Sequence, residues 1–258
     1  MTRPYSSTST RRLADGDLVN IKGLFDLSHK NFVVTGGGRG IGYAAVRAIA
    51  EMGGNVSVLD RSPSPVKDFD SLVETFGVKV KYIPTDVANE QSLRDGFEEA
   101  VADFKVLDGM YVRLFRLRKE TEPRSSDTKM IKDGNKGSLV LIASVSGSCA
   151  TPGHKLAPYN ASKGAVKMLG TALAAELGPE NIRVNTISPG YIDTEMLTPL
   201  KEQYPERIKL MSTTPAIKRI GNRNDLTPAI VYLLSDASTY TTGTDVQVSG
   251  ALHCGRID

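Results

Sequence analysis

The chain has 258 residues, 40% hydrophobic and 24% charged, with a formal net charge of +3. That length and balance suit one soluble α/β domain and exclude a disordered chain, and the apolar runs are too short for a membrane span. Two cysteines and three histidines provide neither a disulfide framework nor a metal cluster. Residues 111–137 carry eight Lys/Arg against four Asp/Glu, so the remainder is close to neutral and offers no basic surface for nucleic acid.

Residues 1–24 are rich in Ser, Thr and Arg without apolar periodicity and read as a flexible tail. An Arg- and Ser-bearing start is one feature of a mitochondrial address, but Asp15 and Asp17 argue against it. The expectation is a cytoplasmic domain over 25–258, its cysteines reduced.

Asn31–Thr35 is a short β-branched strand. It feeds a glycine-rich turn, Gly36 to Gly42, and then a helix with Ile41, Ala44, Ala45, Ala48 and Ile49 at helical spacing. Strand, glycine turn and helix in that order make an anion site. The glycines permit a tight turn and close approach, and the helix N-terminus favours a pyrophosphate. The next strand, Asn55–Asp60, ends in an acid suited to adenosine ribose hydroxyls, which favours NAD(H). Arg39 and Arg61 could each reach a 2′-phosphate, which favours NADP(H). The preference stays open.

A third strand, Val78–Pro84, leads to Asp86, which suits an adenine amino group or an N-cap for a helix over Glu90–Phe104. Ser138–Ser144 is a buried strand. The helix that carries Tyr159 presents Val166, Leu169, Leu173 and Leu177 to a core. A strand over Asn181–Ser188 meets Pro189 and Gly190, and a loop follows. Asp225–Leu234 is a helix with Pro228 in its first turn, and Asp245–Val248 is the last strand. Alternating strands and helices imply a doubly wound parallel sheet of Rossmann type, with ligands at the carboxyl ends of its strands.

Ser144 to Lys163 holds the chemistry. Tyr159 and Lys163, at i and i+4, share one helix face, and an ammonium beside a phenol favours the phenolate. Alone, the pair reads better as a surface contact. A cofactor site built around the pair by the rest of the chain would reverse that balance.

Together these motifs resemble the short-chain dehydrogenase/reductase family. The resemblance rests on Thr35-Gly36-(three residues)-Gly40-Ile41-Gly42, on Ser144 with Tyr159-x-x-x-Lys163, and on Pro189-Gly190 followed by Thr194. It covers roughly 25–109 and 130–253. SPGYIDTEM (188–196) and LLSDASTYTTGTDVQVSG (233–250) look most like fungal members acting on polyols and ketoses, such as sorbose reductases and mannitol and arabinitol dehydrogenases. The resemblance implies hydride transfer between a nicotinamide and a carbonyl carbon of a small molecule. Ser144, Tyr159 and Lys163 would be catalytic. Gly36, Arg39, Gly40, Ile41, Gly42, Asp60, Arg61, Asp86, Val87, Pro189, Gly190, Ile192 and Thr194 would hold NADP(H) or NAD(H), together with Tyr159 and Lys163. Residues from Asp193 to about Pro215 would close over the substrate. A reductase of 3-oxoacyl thioesters or steroids on the same scaffold is the other enzymatic reading.

Residues 110–129 depart from the pattern. The family has a buried strand there, ending in an Asn-Ala-Gly-like turn, then a long helix whose asparagine assists the lysine through water. This stretch has no such turn and no matching asparagine, and Arg113 would fall in a strand buried on both faces. Arg118 to Lys129 contains no large apolar side chain, and Pro123 interrupts it. The expectation is that 110–129 replaces strand, turn and most of the helix, through an altered exon boundary, a splice form or a degenerate paralogue. A natural shortened loop is the alternative. Such a crossover would be disrupted, the usual family oligomer interface would be in doubt, and the chain could bind cofactor without turnover.

Overall fold

The computed structural model describes residues 20–113, 129–131, 134–151 and 155–255. Seven strands, β1 (Asn31–Thr35), β2 (Asn55–Asp60), β3 (Val80–Pro84), β4 (Gly109–Val112), β5 (Gly137–Ile142), β6 (Ile182–Pro189) and β7 (Asp245–Val248), form one sheet in the order β3-β2-β1-β4-β5-β6-β7. Every pairing is parallel. The expected doubly wound fold is the observed one. The order reverses between β1 and β4, and that switch point opens a crevice at the strands' carboxyl ends.

The helices are α1 (Ile21–Leu24), α2 (Gly40–Glu51), α3 (Ser71–Phe76), α4 (Glu90–Val101), α5 (Ala157–Leu177), α6 (Thr198–Gln203), α7 (Pro205–Thr213) and α8 (Thr227–Leu234). Alternation along the strands sorts side chains into two cores. Phe32, Val34, Tyr111, Val140 and Ile142 face one side with Ala45, Ile49 and Ile230 of α2 and α8. Val33, Met110, Leu139 and Leu141 face the other with Phe97 of α4 and Leu173 of α5. Among the described residues no helix is long and apolar enough to cross a membrane.

Three readings need correction. Ile21–Leu24, taken as the end of the tail, is a helical turn capped by Asn20, whose side chain accepts from Lys22 N–H. Asp86 is not the cap of α4. Asn89 holds that place by accepting from Ser92 N–H at 2.9 Å, while Asp86 accepts from Ala88 N–H in its own turn. The third correction concerns the centre of the sheet. A strand is present after Asp108, with Phe32 opposite Gly109 and Thr35 opposite Val112. Asp108 anchors its entry by accepting from Asn31 N–H at 2.8 Å. Gly109 is needed there, since a Cβ would lie 2.8 Å from Ser138 O. The expected penalty for a charge inside this strand does not arise, because the strand stops at Val112 and Arg113 lies beyond its end. The missing turn and helix fall largely at 114–128, outside the described residues. Met130, on the returning side, is fully buried in the second core and packs against Gly137.

Tyr111 is fully buried at the centre of β4, and among the described residues its hydroxyl has no hydrogen-bond partner. Burial drives its phenol far above the usual range. Removing an unsatisfied buried hydroxyl while keeping the ring is favourable by about 1 kcal/mol. Tyr111→Phe is therefore expected to raise the melting temperature by roughly 2–4 °C. A lower melting temperature in a thermal scan would show that the hydroxyl is satisfied.

Candidate active site

The glycine turn joins β1 to α2 at the crevice. Gly36 and Gly40 have φ of +69° and +61°, in the left-handed region that suits glycine. At Gly42 a Cβ would lie 1.9 Å from Gly36 O, so helix and turn touch through backbone alone. Arg39 is the N-cap of α2 and makes no side-chain capping bond, so no cap side chain occupies the N–H groups of the first turn. This bare, donor-rich cradle fits a pyrophosphate.

Asp60 lies at the end of β2 as expected, and it has a structural task that the sequence did not reveal. Its Oδ2 accepts from Gly38 N–H and its Oδ1 from Ser62 N–H, each at 2.9 Å. It thus ties the glycine turn to β2, and the carboxylate retains lone pairs for a ribose hydroxyl. Arg39 and Arg61 are exposed near it, while Asp86 and Val87 are half-buried beyond β3. Tyr82, which sequence reasoning passed over, sets its hydroxyl 3.0 Å from where a Gly38 Cβ would stand. It donates to Ser62 O at 2.8 Å. Burial, and then Asp60, push its phenol up to about 12.

On the other side of the switch point β5 runs into Ser144. This serine is buried, and its Oγ accepts from Ser146 N–H at 3.2 Å. A short 3-10 turn, Val145–Gly147, follows. Gly147 lies directly against α5, where a Cβ would be 2.7 Å from the backbone carbon of Lys163 and 2.8 Å from its oxygen. That close approach joins the serine turn to the helix carrying Tyr159 and Lys163. Lys163 Nζ donates to Ile142 O at 3.0 Å, so the same helix is also tied to the end of β5. The ammonium lies 5.8 Å from the centroid of the Tyr159 ring, within cation–π range. Burial, and then the nearby Arg113 guanidinium, lower the Lys163 pKa. Tyr159 is 43% exposed and open to a ligand.

One turn further along α5, Lys167 pairs with Asp245 of β7 at 2.8 Å and also meets Ser148 Oγ. Asp245 Oδ1 accepts from Thr186 and Ser188 of β6 at 2.8 and 2.7 Å. Asn160 donates to Cys149 O at 3.0 Å. None of these supports was singled out from sequence, although Lys167 is the i+4 neighbour of Lys163 and Gly147 stands beside Ser144.

β6 ends at Pro189. Gly190 N–H donates to Val248 O, and a Cβ at Gly190 would meet Ser249 Cα at 2.8 Å. Ile192 is buried and bridges in parallel to Gly221. Thr194 precedes a 3-10 turn, Glu195–Leu197. The crevice is thus bordered by Gly40, Ile41, Gly190, Ile192 and Thr194, together with Arg113. A larger cavity of about 760 Å³ lies behind the same loop, between α2, α3 and 222–224. It shares Thr194 and Glu195 with the crevice, and neither cavity is lined by Ser144, Tyr159 or Lys163. Among the described residues no cluster of His, Cys, Asp and Glu could hold a metal.

Comparison with known proteins agrees with this geometry. The family model described as short chain dehydrogenase matches residues 30–112, and that described as enoyl-(acyl carrier protein) reductase matches 114–253. The chain belongs to the short-chain dehydrogenase family. Sorbose reductase sou1 of Schizosaccharomyces pombe is 34% identical over 90% of this chain and 99% of its own. NADP-dependent mannitol dehydrogenase of Aureobasidium melanogenum is 33% identical over 93% and 96%. A crystal structure of a short-chain dehydrogenase/reductase from Mycobacterium marinum superposes with a TM-score of 0.82 at 29% identity, covering 91% of this chain and all of that one. This short-chain dehydrogenase is accordingly an oxidoreductase that uses NAD(H) or NADP(H). Arg113, the residue just beyond the end of β4, lies between the two matched stretches.

The Gly147 contact sets a test. Gly147→Ala places a methyl group within 3 Å of the α5 backbone, a clash that costs about 1–3 kcal/mol. The variant is expected to unfold at lower denaturant and to lose turnover. Unchanged stability and turnover would show that the serine turn does not depend on this approach.

Proposed function

We propose that this chain interconverts a ketose, or another small carbonyl compound, and the corresponding polyol, with NADP(H) as its preferred cofactor. The observation that carries the reading is the Gly147 approach and the Lys163–Ile142 bond, which tie the Ser144 turn and the end of β5 to the helix that carries Tyr159 and Lys163. Two relatives whose names include sorbose reductase and NADP-dependent mannitol dehydrogenase support the substrate class.

In this reading Ser144 Oγ donates a hydrogen bond to the substrate oxygen. Tyr159 hydroxyl gives its proton to that oxygen as the carbonyl is reduced, or accepts one from the alcohol in the reverse direction. The Lys163 ammonium stabilises the charge left on the phenol and faces the nicotinamide ribose. A bound dinucleotide supplies or receives the hydride at the carbonyl carbon. Gly36, Gly40, Ile41 and Gly42 would receive the pyrophosphate, Asp86 and Val87 would border the adenine, and Pro189, Gly190, Ile192 and Thr194 would hold the nicotinamide. Asp60 already accepts two backbone N–H groups, while Arg39 and Arg61 are exposed. The two arginines suit a 2′-phosphate and the Asp60 carboxylate a bare ribose, and the relative named NADP-dependent mannitol dehydrogenase tips the reading to NADP(H). A domain over 25–258 and a cytoplasmic location complete the proposal.

A second reading, a cofactor-binding protein without turnover, is favoured by one observation. Burial, and then the Arg113 guanidinium, lower the Lys163 pKa and so weaken the ammonium on which Tyr159 depends, while the glycine cradle is intact.

Binding of NADPH and NADH, followed by turnover with fructose, sorbose and xylulose, separates the two. NADPH binding with ketose reduction is expected; binding without turnover on any of these sugars favours the second reading. Tyr159→Phe is expected to lower kcat by 10²-fold or more, the scale of a lost general acid, with cofactor affinity nearly unchanged. Near-normal kcat would remove Tyr159 as the proton donor. Arg39→Ala or Arg61→Ala is expected to weaken NADPH more than NADH, and an equal effect on both would reject the 2′-phosphate preference.

A further inference from the structure

We propose that Arg113 is a ligand of the cofactor's pyrophosphate, a cation that this chain adds at the switch point of its sheet. The inference rests on the reading that the crevice takes a nicotinamide dinucleotide. β4 ends with Val112 opposite Thr35, which brings Arg113 level with Gly36, the first residue of the glycine turn. The Arg113 N–H donates to Thr35 Oγ1 at 3.0 Å, so the root of the side chain is fixed. Its stem then crosses the glycine turn, with Cδ, Cβ and Cγ 3.0, 3.5 and 3.7 Å from where a Gly36 Cβ would be. The guanidinium ends 3.8 Å from Met196 Sδ on the far side of the crevice.

The guanidinium is poorly matched where it stands. A thioether is a weak acceptor, and among the described residues no carboxylate pairs with Arg113. Glu195 comes near the same cradle, but its Oε1 is bonded to Arg223 at 2.7 Å. The crevice therefore gathers the first turn of α2, Arg39 and Arg113. Arg113 and Lys163 oppose one another, since the guanidinium disfavours the charged lysine. A doubly charged pyrophosphate answers all of these groups, and a planar fork of five N–H donors matches phosphate oxygens better than sulfur.

The remaining space points the same way. With Arg113 and Met196 in contact, the crevice holds a cavity of about 200 Å³. That is the part of the crevice at the glycine turn, and a pyrophosphate entering it meets Arg113 and Met196 on its walls. The long side chain exchanges a weak contact with sulfur for charge-assisted bonds to phosphate, and its fixed N–H keeps it beside the turn.

The test compares the full-length wild type with Arg113→Met, which keeps an apolar stem over Gly36, and Arg113→Gln, which keeps polarity without charge. Dissociation constants for NADPH, ADP-ribose and adenosine are measured by calorimetry across a range of salt, with melting curves as the check on folding. Both variants are expected to bind NADPH and ADP-ribose at least tenfold more weakly, with a shallower salt dependence and unchanged affinity for adenosine. Arg113→Lys is expected to recover part of the loss. Equal or tighter NADPH binding in a folded neutral variant would overturn the inference, because Arg113 would then only fill a space that the cofactor must clear. A loss of the same size for adenosine would overturn it too, as that points to a disturbed fold. If the wild type binds neither NADPH, NADH nor ADP-ribose, the cofactor reading falls and the inference falls with it. If the wild type binds and the neutral variants match it, the inference alone falls.

Discussion

The site depends on the contact of two backbones. Gly147, just after Ser144, rests on the peptide of Lys163, and no side chain larger than hydrogen fits between them. A serine at the end of a strand and a tyrosine–lysine pair on a helix are separate features until that contact fixes their spacing. The Lys163 bond to Ile142 O repeats the connection from the side chain. The same device recurs across the switch point, where Gly42 meets Gly36 O. The two halves of the crevice are thus set by glycine approaches on either side of the sheet's centre.

Much of this was legible in the sequence, for identifiable reasons. β1, β2 and β7 have the bounds read from the sequence: the first two are mainly apolar and buried, while β7, half-buried at the sheet edge, alternates polar and apolar residues. The glycine turn was legible because helix and strand patterns flank it. Other features depend on tertiary contact and leave a weaker trace. Asp60 reads as a ribose ligand, yet its first partners are two backbone N–H groups that only the folded turn brings within reach. Asp86 and Asn89 are both good caps, and the start of α4 decides between them. Lys167 and Asp245 lie 2.8 Å apart in space but far apart in the chain, a pairing that periodicity does not report.

β4 is the instructive failure. An arginine in a strand buried on both faces is indeed prohibitive, but the argument assumed a strand of ordinary length. Four residues, Gly109–Val112, suffice because β1 and β5 pair with it on both sides and Asp108 anchors its entry. The charge begins where the sheet ends. The departure from the family pattern therefore starts at the rim of the crevice, and the central strand survives it.

The Lys167–Asp245 pair has a consequence for the order in which this protein is made. α5 carries the candidate catalytic residues, and its brace is an acid in the last strand, itself held by Thr186 and Ser188. Synthesis runs from the N-terminus, and early parts of a chain fold while later ones are still being added. The glycine turn can close as soon as β1, α2 and β2 have emerged. The helix beside it can meet Gly147 and Ile142 earlier but lacks the Lys167 brace until Asp245 leaves the ribosome, so the nascent chain acquires its anion cradle before its tyrosine helix is fully tied down.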